Sequence, residues 1–170
     1  MSTVGDRVLP DAARQSRTTL VVITRNRAEQ LLGNLHRLRR SSPGVPVILV
    51  DNGSTDGAAD LVRHHHPDVE LVRLPRNMGA AGRTVGVRMA TTPYVAFADD
   101  DSWWTAGALE TAADLFDSHP GLGLLAGRLV VEPGGQLDPV CRLMRDSPLG
   151  AVPGVGPRVL GFMACAAMVR

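Results

Sequence analysis

From Thr18 onward the sequence alternates short, continuous apolar runs with amphipathic segments, and that alternation leaves few architectures open. Leu20–Ile23 reads as a strand covered on both faces, because no polar residue interrupts it, and Val47–Val50, Val69–Val72 and Tyr94–Ala98 read as three further strands. Between them, Leu31, Leu32, Leu35 and Leu38 fall at helical spacing after Asn26 and Glu29, which resemble a capping box. Pro43 and Gly44 end that helix. Asp56 is placed to cap a second helix reaching about His66, where Pro67 stops it. A turn through Pro75, Asn77 and Gly79 opens a third helix to about Ala90. A fourth covers about Ala106–Ser118, with Leu109, Ala112, Ala113 and Phe116 on one face. Strands and helices alternating at these lengths imply βαβ units, right-handed crossovers and a mostly parallel sheet flanked by helices. Leu122–Val131 and Val159–Val169 read as two further extended segments, and residues 132–158 as a Pro- and Gly-rich stretch without periodicity. Residues 1–17 read as a loose leader and 18–170 as one domain.

Bulk properties narrow the function. A chain of 170 residues is long enough to bury roughly 70% of its extended surface in one core. The net charge of +1 gives no reason to expect nucleic acid or an anionic membrane as main partner. All 18 basic residues are arginine. A phosphate-loop lysine, a Schiff-base lysine and a lysine general base are thereby excluded. Cys141 and Cys165 have neither CxxC nor zinc-finger spacing and read as free thiols of a reducing compartment. No apolar leader precedes Leu20, and Val159–Val169 is too short to span a bilayer. These features point to a cytoplasmic protein with no transmembrane segment, peripheral attachment at the inner face of the membrane being left open.

In such sheets ligands bind outside the carboxyl ends of the strands. That directs attention to Thr24–Arg27, Asp51–Asp56 and Asp99–Asp101. Three consecutive carboxylates at the end of a buried strand repel one another, at about 4 kcal/mol for two charges 4 Å apart at an effective dielectric near 20. A divalent cation removes that repulsion, and oxygen-only ligands favour Mg²⁺ or Mn²⁺ completed by water and phosphate oxygens. Alternation along an extended segment lets Asp99 and Asp101 converge while Asp100 turns elsewhere. Asp51 supports two readings, a turn residue before Asn52-Gly53 or an acceptor for a nucleobase or ribose. Arg25 and Arg27 can meet a diphosphate, and equally can be surface arginines. Asn77 and Arg83 can cap and begin their helix or approach a ligand. His64, His65 and His66 read as solvated residues complementing a helix C-terminus. Of Trp103 and Trp104, one is expected in the core and the other beside the cleft.

Four of these segments, in order, resemble the family 2 glycosyltransferases. They are Val21-Val22-Ile23-Thr24-Arg25-Asn26-Arg27, Val47-Ile48-Leu49-Val50-Asp51-Asn52-Gly53-Ser54-Thr55-Asp56, Asn77-Met78-Gly79 and Val95-Ala96-Phe97-Ala98-Asp99-Asp100-Asp101. Gly161-Phe162-Met163-Ala164 also looks like the strand after that family's acceptor-side loop. The resemblance implies a GT-A fold and metal-assisted, inverting transfer of a sugar from a uridine diphosphate donor to a carbohydrate or lipid-linked acceptor. It implies that Thr24, Asn26, Arg27, Asp51, Asn77, Arg83 and Asp99 bind the donor, with Asp51 on the base and Asp99 near the ribose. Asp99 and Asp101 match the DxD positions and would hold Mn²⁺ or Mg²⁺.

Two departures stand out. Arg83, Thr84 and Val85 occupy a stretch where the family often has asparagine. The general base implied by the resemblance lies downstream of the Gly161–Arg170 type of strand, so the chain reads as C-terminally incomplete. Glu132, Asp138 and Asp146 remain, without a motif to promote any of them. A donor-binding module without turnover is therefore the alternative, since general-base catalysis is worth about 10²–10⁴-fold. A dinucleotide-binding oxidoreductase is disfavoured because Thr24–Glu29 holds no glycine. A phosphoacceptor receiver domain is disfavoured by the lack of lysine.

Overall fold

The computed structural model describes residues 16–170. The expected leader therefore lies outside the described residues, apart from Ser16 and Arg17.

Strands β1 (Thr18–Thr24), β2 (Val47–Asp51), β3 (Glu70–Arg73) and β4 (Tyr94–Asp99) alternate with helices α1 (Ala28–Ser41), α2 (Ala58–His65) and α3 (Gly82–Met89). Helix α4 (Ala108–Ser118), β5 (Leu124–Ala126) and β10 (Ala167–Val169) complete the main layer. The sheet order is β3-β2-β1-β4-β10-β5, with β1 parallel to both β2 and β4, and β10 antiparallel to both its neighbours. The chain winds outward from β1 to β3, then crosses back to β4 on the other side of β1. The crevice between the carboxyl ends of β1 and β4 is thus the point where the winding reverses.

The continuous apolar runs are explained by two-sided burial. Leu20, Val22, Leu49, Ala96 and Ala98 face α1, α2 and α4, together with Leu31, Leu35, Leu38, Val62, Leu109 and Phe116. Alternate residues Val21, Ile48, Val50 and Val95 face the other way, against Val87 and Met89 of α3. Each fully buried Leu contributes about 1.5–3 kcal/mol relative to exposure. Helix α3 comes unusually close to the sheet at Gly86, where a Cβ would lie 2.5 Å from Cγ1 of Val21. At the far end of the core Tyr94 stacks on Phe116 with centroids 4.9 Å apart, and the Arg170 guanidinium lies over both rings.

The described residues depart from expectation in four places. Asn26 is not a helix cap: its φ is +52°, a left-handed conformation that Asn tolerates. Arg27 is the N-cap position of α1 and makes no side-chain cap bond. The first amide is instead met from a distance, Ala28 N–H donating to Oδ2 of Asp56 at 2.9 Å. The segment 122–131 does not stay in one strand. After β5 the backbone of Gly127 still donates to Ala166 O at 2.7 Å, but Val130–Val131 (β6) turns away to pair with Gln136–Leu137 (β7).

Of the run 159–169, only the last three residues form a strand. Leu160 is left 79% exposed, outside the three residues that pair between β4 and β5. Residues 132–158 are also more ordered than their composition implied. They contain helix α5 (Pro139–Arg145) and the hairpin of β8 (Ala151–Val152) with β9 (Gly156–Pro157). Asp138 caps α5 by accepting from Val140 N–H at 2.8 Å, with Pro139 at the first helical position.

Candidate functional site

The acidic triplet sits where the winding reverses, but its three carboxylates have different surroundings. Strand β4 ends at Asp99, so the strand alternation stops there and Asp100 and Asp101 lie in a turn. Asp99 ion-pairs with Arg83 of α3. Asp100 is buried; its Oδ2 accepts from Thr24 Oγ1 at 3.0 Å and its Oδ1 from Arg27 at 3.1 Å. Asp101 is exposed and shares the same Arg27 guanidinium at 3.2 Å. The expected separation of Asp100 from the other two is thus replaced by a different grouping, Asp100 with Asp101 on Arg27 and Asp99 on Arg83.

The electrostatics follow. Burial raises the Asp100 carboxyl above its ordinary value, while the Thr24 hydroxyl and the Arg27 guanidinium oppose that rise. Arg27 is held further in its charged form by Asp100 first and Asp101 second. Between half-exposed partners such as Arg27 and Asp101 solvent screens most of the attraction. That carboxylate is therefore readily released to another cation. Near the same turn Cys165 is pushed above the ordinary thiol value, first by burial and then by the charge of Asp99. Both cysteines are free, as expected.

Asp99 and Asp101 supply hard oxygen donors. No group of three His, Cys, Asp or Glu converges as a metal-ligand set among the described residues. This donor set fits a cation that takes one or two carboxylates and fills its remaining positions with water and phosphate oxygens. It does not fit a closed, all-protein metal cage. His64 and His65 are exposed in the last turn of α2, in keeping with the solvated reading.

The loop after β2 forms the adjoining wall. Asp51 is buried, and its Oδ1 accepts from Ser54 N–H at 2.8 Å. Its Oδ2 is shielded from solvent and has no hydrogen-bond partner among the described residues. Leaving such an acceptor unmet costs about 1–3 kcal/mol. Asn26 is locked to this loop: its backbone N–H donates to Ser54 Oγ at 3.0 Å, and its Oδ1 accepts from Thr55 N–H at 2.8 Å. Gly53 has a φ of +77°, and a Cβ there would meet the Arg76 carbonyl carbon at 2.8 Å. The loop and the Arg76–Gly79 turn can lie this close only with glycine at that position.

Asn52 ties down the same turn. Its Nδ2 donates to Asn77 Oδ1 at 2.9 Å and to Gly79 O at 3.0 Å, and its Oδ1 accepts from Met78 N–H at 2.7 Å. The Asn77 oxygen is therefore engaged within the turn.

Sequence reasoning brought Thr24, Asn26, Arg27, Asp51, Arg83, Asp99 and Asp101 to one end of the sheet, and the structure places them there. It overlooked three supporting residues. Asn34 of α1 donates to Asp99 O at 3.0 Å and to Ser102 O at 2.8 Å, holding the acidic turn. It is a buried polar residue inside an apolar helix face, and that mismatch was the available signal. Asn52 was passed over as an ordinary turn residue. Arg73 closes β3 beside Asp51, and the strand-end rule would have found it had it been applied to the third strand too.

Trp103 and Trp104 both pack against the core. Trp103 lies under Arg37 at 4.7 Å, and Trp104 Nε1 donates to Phe97 O at 3.0 Å. Trp104 borders a separate apolar cavity of about 830 Å³, with Leu115, Leu125, Cys141, Met144 and Val155 among its walls.

The sequence profile of glycosyl transferase family 2 matches residues 19–161. Over 143 residues the chain is 34% identical to the pre-mycofactocin glycosyltransferase of Mycobacterium tuberculosis, an overlap of 83% of this chain and 29% of that protein. It is 32% identical over 112 residues to the N-acetylglucosaminyl-diphospho-decaprenol L-rhamnosyltransferase of the same organism, covering 59% of this chain and 36% of that one. Among solved structures it is similar to the mannosyltransferase PcManGT from Pyrobaculum calidifontis in complex with GDP-Man and Mn²⁺. There the TM-score is 0.66 at 25% identity, over 96% of this chain and 47% of that chain. It is also similar in fold to S. aureus TarS 1-349 in complex with UDP-GlcNAc, with a TM-score of 0.67 at 22% identity, over 90% of this chain and 45% of that chain. The chain thus spans 29% of the length of the first of these relatives and less than half of either solved structure.

Proposed function

The chain belongs to glycosyl transferase family 2 and has the GT-A fold, and from that premise we propose that it binds a uridine diphosphate sugar with Mn²⁺ or Mg²⁺ and passes the sugar to an acceptor hydroxyl with inversion. The observation that carries the reading is the grouping of Asp99 and Asp101 with Arg83 and Arg27 at the reversal point of the sheet. The Mn²⁺ and the nucleotide sugars in the solved relatives support it.

Asp99 and Asp101 would hold the cation. When bound, the cation neutralises the diphosphate leaving group. Arg27 and Arg83 offer planar, multiply donating guanidinium groups to the diphosphate oxygens once their carboxylates are otherwise engaged. Thr24 keeps Asp100, and through it Arg27, in place. Asp51 offers its unmet Oδ2 to an N–H of the base. Asn26 fixes the loop that carries Ser54 and Thr55, and Asn77 shapes the turn that leads into α3. The acceptor is a carbohydrate or lipid-linked hydroxyl. No described helix is long and apolar enough to cross a membrane.

A second reading, donor binding without transfer, is favoured by the fate of two of the three remaining acids, Glu132 being exposed. Asp138 is engaged as the cap of α5 and Asp146 pairs with Arg145. Neither is set up to take a proton from an acceptor. A sugar-transfer and donor-hydrolysis assay on this chain separates the two readings.

Calorimetry with UDP tests what both share. Binding is expected with Mn²⁺ present, and a loss of at least about tenfold in Asp101→Ala, equivalent to 1.4 kcal/mol. Unchanged binding in that variant would sink the metal assignment, and no binding by the unaltered chain would sink the nucleotide reading.

A further inference from the structure

Strand β5 lies at the edge of the sheet, and its Leu124, Leu125 and Ala126 are only half-buried. Helix α5 and the β8–β9 hairpin face them across the cavity of about 830 Å³ that Trp104 borders. Leu115 of α4, Met144 of α5 and Val155 of the hairpin turn continue its apolar wall. That volume falls in the range of about 300–1,000 Å³ in which proteins hold organic ligands.

The charged residues of the wall are all of one sign. Arg128, Arg145 and Arg158 line the cavity, and no Asp or Glu does so among the described residues. All three are exposed, which puts them at the rim. Arg145 is engaged at two points by Asp146. Arg158 gives one N–H to Ala151 O at 3.3 Å, and Arg128 forms no ion pair among the described residues. Both therefore keep donors for an anion.

The lining also selects among apolar occupants. A peptide segment would bring backbone N–H and C=O groups, each needing a partner once out of water. Apart from the arginines, the side chains with hydrogen-bonding groups in the wall are Trp104, Thr105, Thr111 and Cys141. Trp104 already donates to Phe97 O, Thr111 to Gly107 O, and Cys141 is engaged with Leu129. A hydrocarbon chain has no such groups to satisfy. The surroundings suit it too: of the nine large apolar residues exposed among the described residues, seven fall within 130–163, the segment that supplies α5 and the hairpin. Apolar surface gathered in this way marks a site of interaction.

We propose that this cavity binds a single-chain anionic lipid, with the hydrocarbon chain between β5 and α5 and a phosphate head on Arg128 and Arg158. Two guanidinium groups balance the charge of about −1.5 to −2 that a phosphate monoester carries at neutral pH, and each can donate two parallel N–H bonds to its oxygens. The site is separate from the donor crevice, because none of the residues assigned to the nucleotide or the cation lines it. It stands independently of the nucleotide reading.

The test is calorimetric titration of the full chain with n-octyl and n-decyl phosphate, kept below their micelle-forming concentrations and without nucleotide or metal. One equivalent is expected to bind. Decyl phosphate should bind at least about fourfold more tightly than octyl phosphate, the effect of burying a single further methylene. The double variant Arg128→Met, Arg158→Met is expected to weaken decyl phosphate at least about tenfold and 1-decanol by less than about twofold, since only the first has a charge to lose. Val155→Trp, which fills the cavity from the hairpin turn, is expected to weaken both at least about tenfold.

A melting curve without ligand shows whether each variant folds, and if Val155→Trp does not, the chain-length ratio and the arginine pair decide. Equal affinity for the two chain lengths overturns the proposal, since it marks an anion on surface arginines alone. Binding unchanged in Val155→Trp or in the arginine variant overturns it, as does no binding by the unaltered protein. A dimer in sedimentation that Val155→Trp disrupts, without uptake of decyl phosphate, assigns the cavity to a second copy of the chain instead. UDP binding in Mn²⁺ is expected to be unchanged in every variant, so a failure here and a failure of the nucleotide reading are told apart.

Discussion

The side-chain amide of Asn34 donates to the main-chain carbonyl of Asp99 at 3.0 Å and, through the same nitrogen, to that of Ser102 at 2.8 Å. One helix residue therefore fixes both ends of the acidic turn. Asn34→Ala removes both bonds and leaves two carbonyls with fewer partners, at a cost of about 1–3 kcal/mol. Urea denaturation should show the loss in stability. Titration with UDP and Mn²⁺ should show weaker binding, because the turn that presents Asp99 and Asp101 is no longer held. Normal stability and normal binding together would show that the turn does not depend on Asn34.

Gly86→Ala sets two effects against each other. Alanine improves helix propensity by about 1 kcal/mol. Its Cβ, however, would fall 2.5 Å from Val21 Cγ1 and 3.2 Å from Val50 Cγ2, both side chains of the packed sheet. Overpacking of that kind typically costs about 1–3 kcal/mol. The clash should win, giving a lower urea midpoint with an unchanged slope. A higher midpoint would mean that α3 moves outward freely.

Asp56 serves two helices at once. Its Oδ2 accepts from Ala28 N–H at 2.9 Å, at the start of α1, and its Oδ1 from Ala58 N–H at 3.1 Å, at the start of α2. Loss of one cap costs about 0.5–2 kcal/mol. Asp56→Ala should therefore destabilise the protein by more than a single cap loss does. Asp138→Ala, which uncaps only α5, is the comparison, and equal midpoints for the two variants would refute the double role.

Tyr94 donates its hydroxyl to Asp117, which also takes a hydrogen bond from Arg17. The Tyr94 hydroxyl and Arg17 hold the Asp117 carboxyl below its ordinary value of 3.8. The unfolded chain thus binds the proton first as pH falls. The stabilisation is complete above that ordinary value and drains away as pH drops through the lower native one. Asp117→Asn should melt at a lower temperature than the unaltered protein at neutral pH, with the gap closing in acid. A gap that stays constant into acid would exclude the carboxylate as its source.

The sheet was legible because burial on both faces leaves a plain mark, three uninterrupted apolar runs, with Glu70 breaking the fourth on the edge strand β3. The positions of Thr24, Asp51 and Asp99 followed from the rule about strand ends. What escaped was chemistry carried between segments distant in sequence. Glu29 three residues after Asn26 looked like a local cap, yet the capping oxygen came from Asp56 in the next loop. Likewise the alternation from Asp99 to Asp101 presumed a strand that ended two residues too early to sustain it. In residues 132–158 the signal of Asp138-Pro139 was present, but one short helix among many glycines gives no periodicity to read.

Among the described residues strand β5 pairs in the sheet with β10 alone, beyond two hairpins and a helix in the chain. The parallel half of the sheet can assemble from segments close in sequence, whereas β5 must wait. Closing a long loop before any pairing is gained slows that step. Until Ala167–Val169 are in place, the edge of β4 stays open at Val95 and Ala96, the residues that β10 covers. The strand that carries the acidic turn therefore keeps an unpaired edge near its opposite end until β10 docks, and a chain caught at that stage would present that edge to other chains.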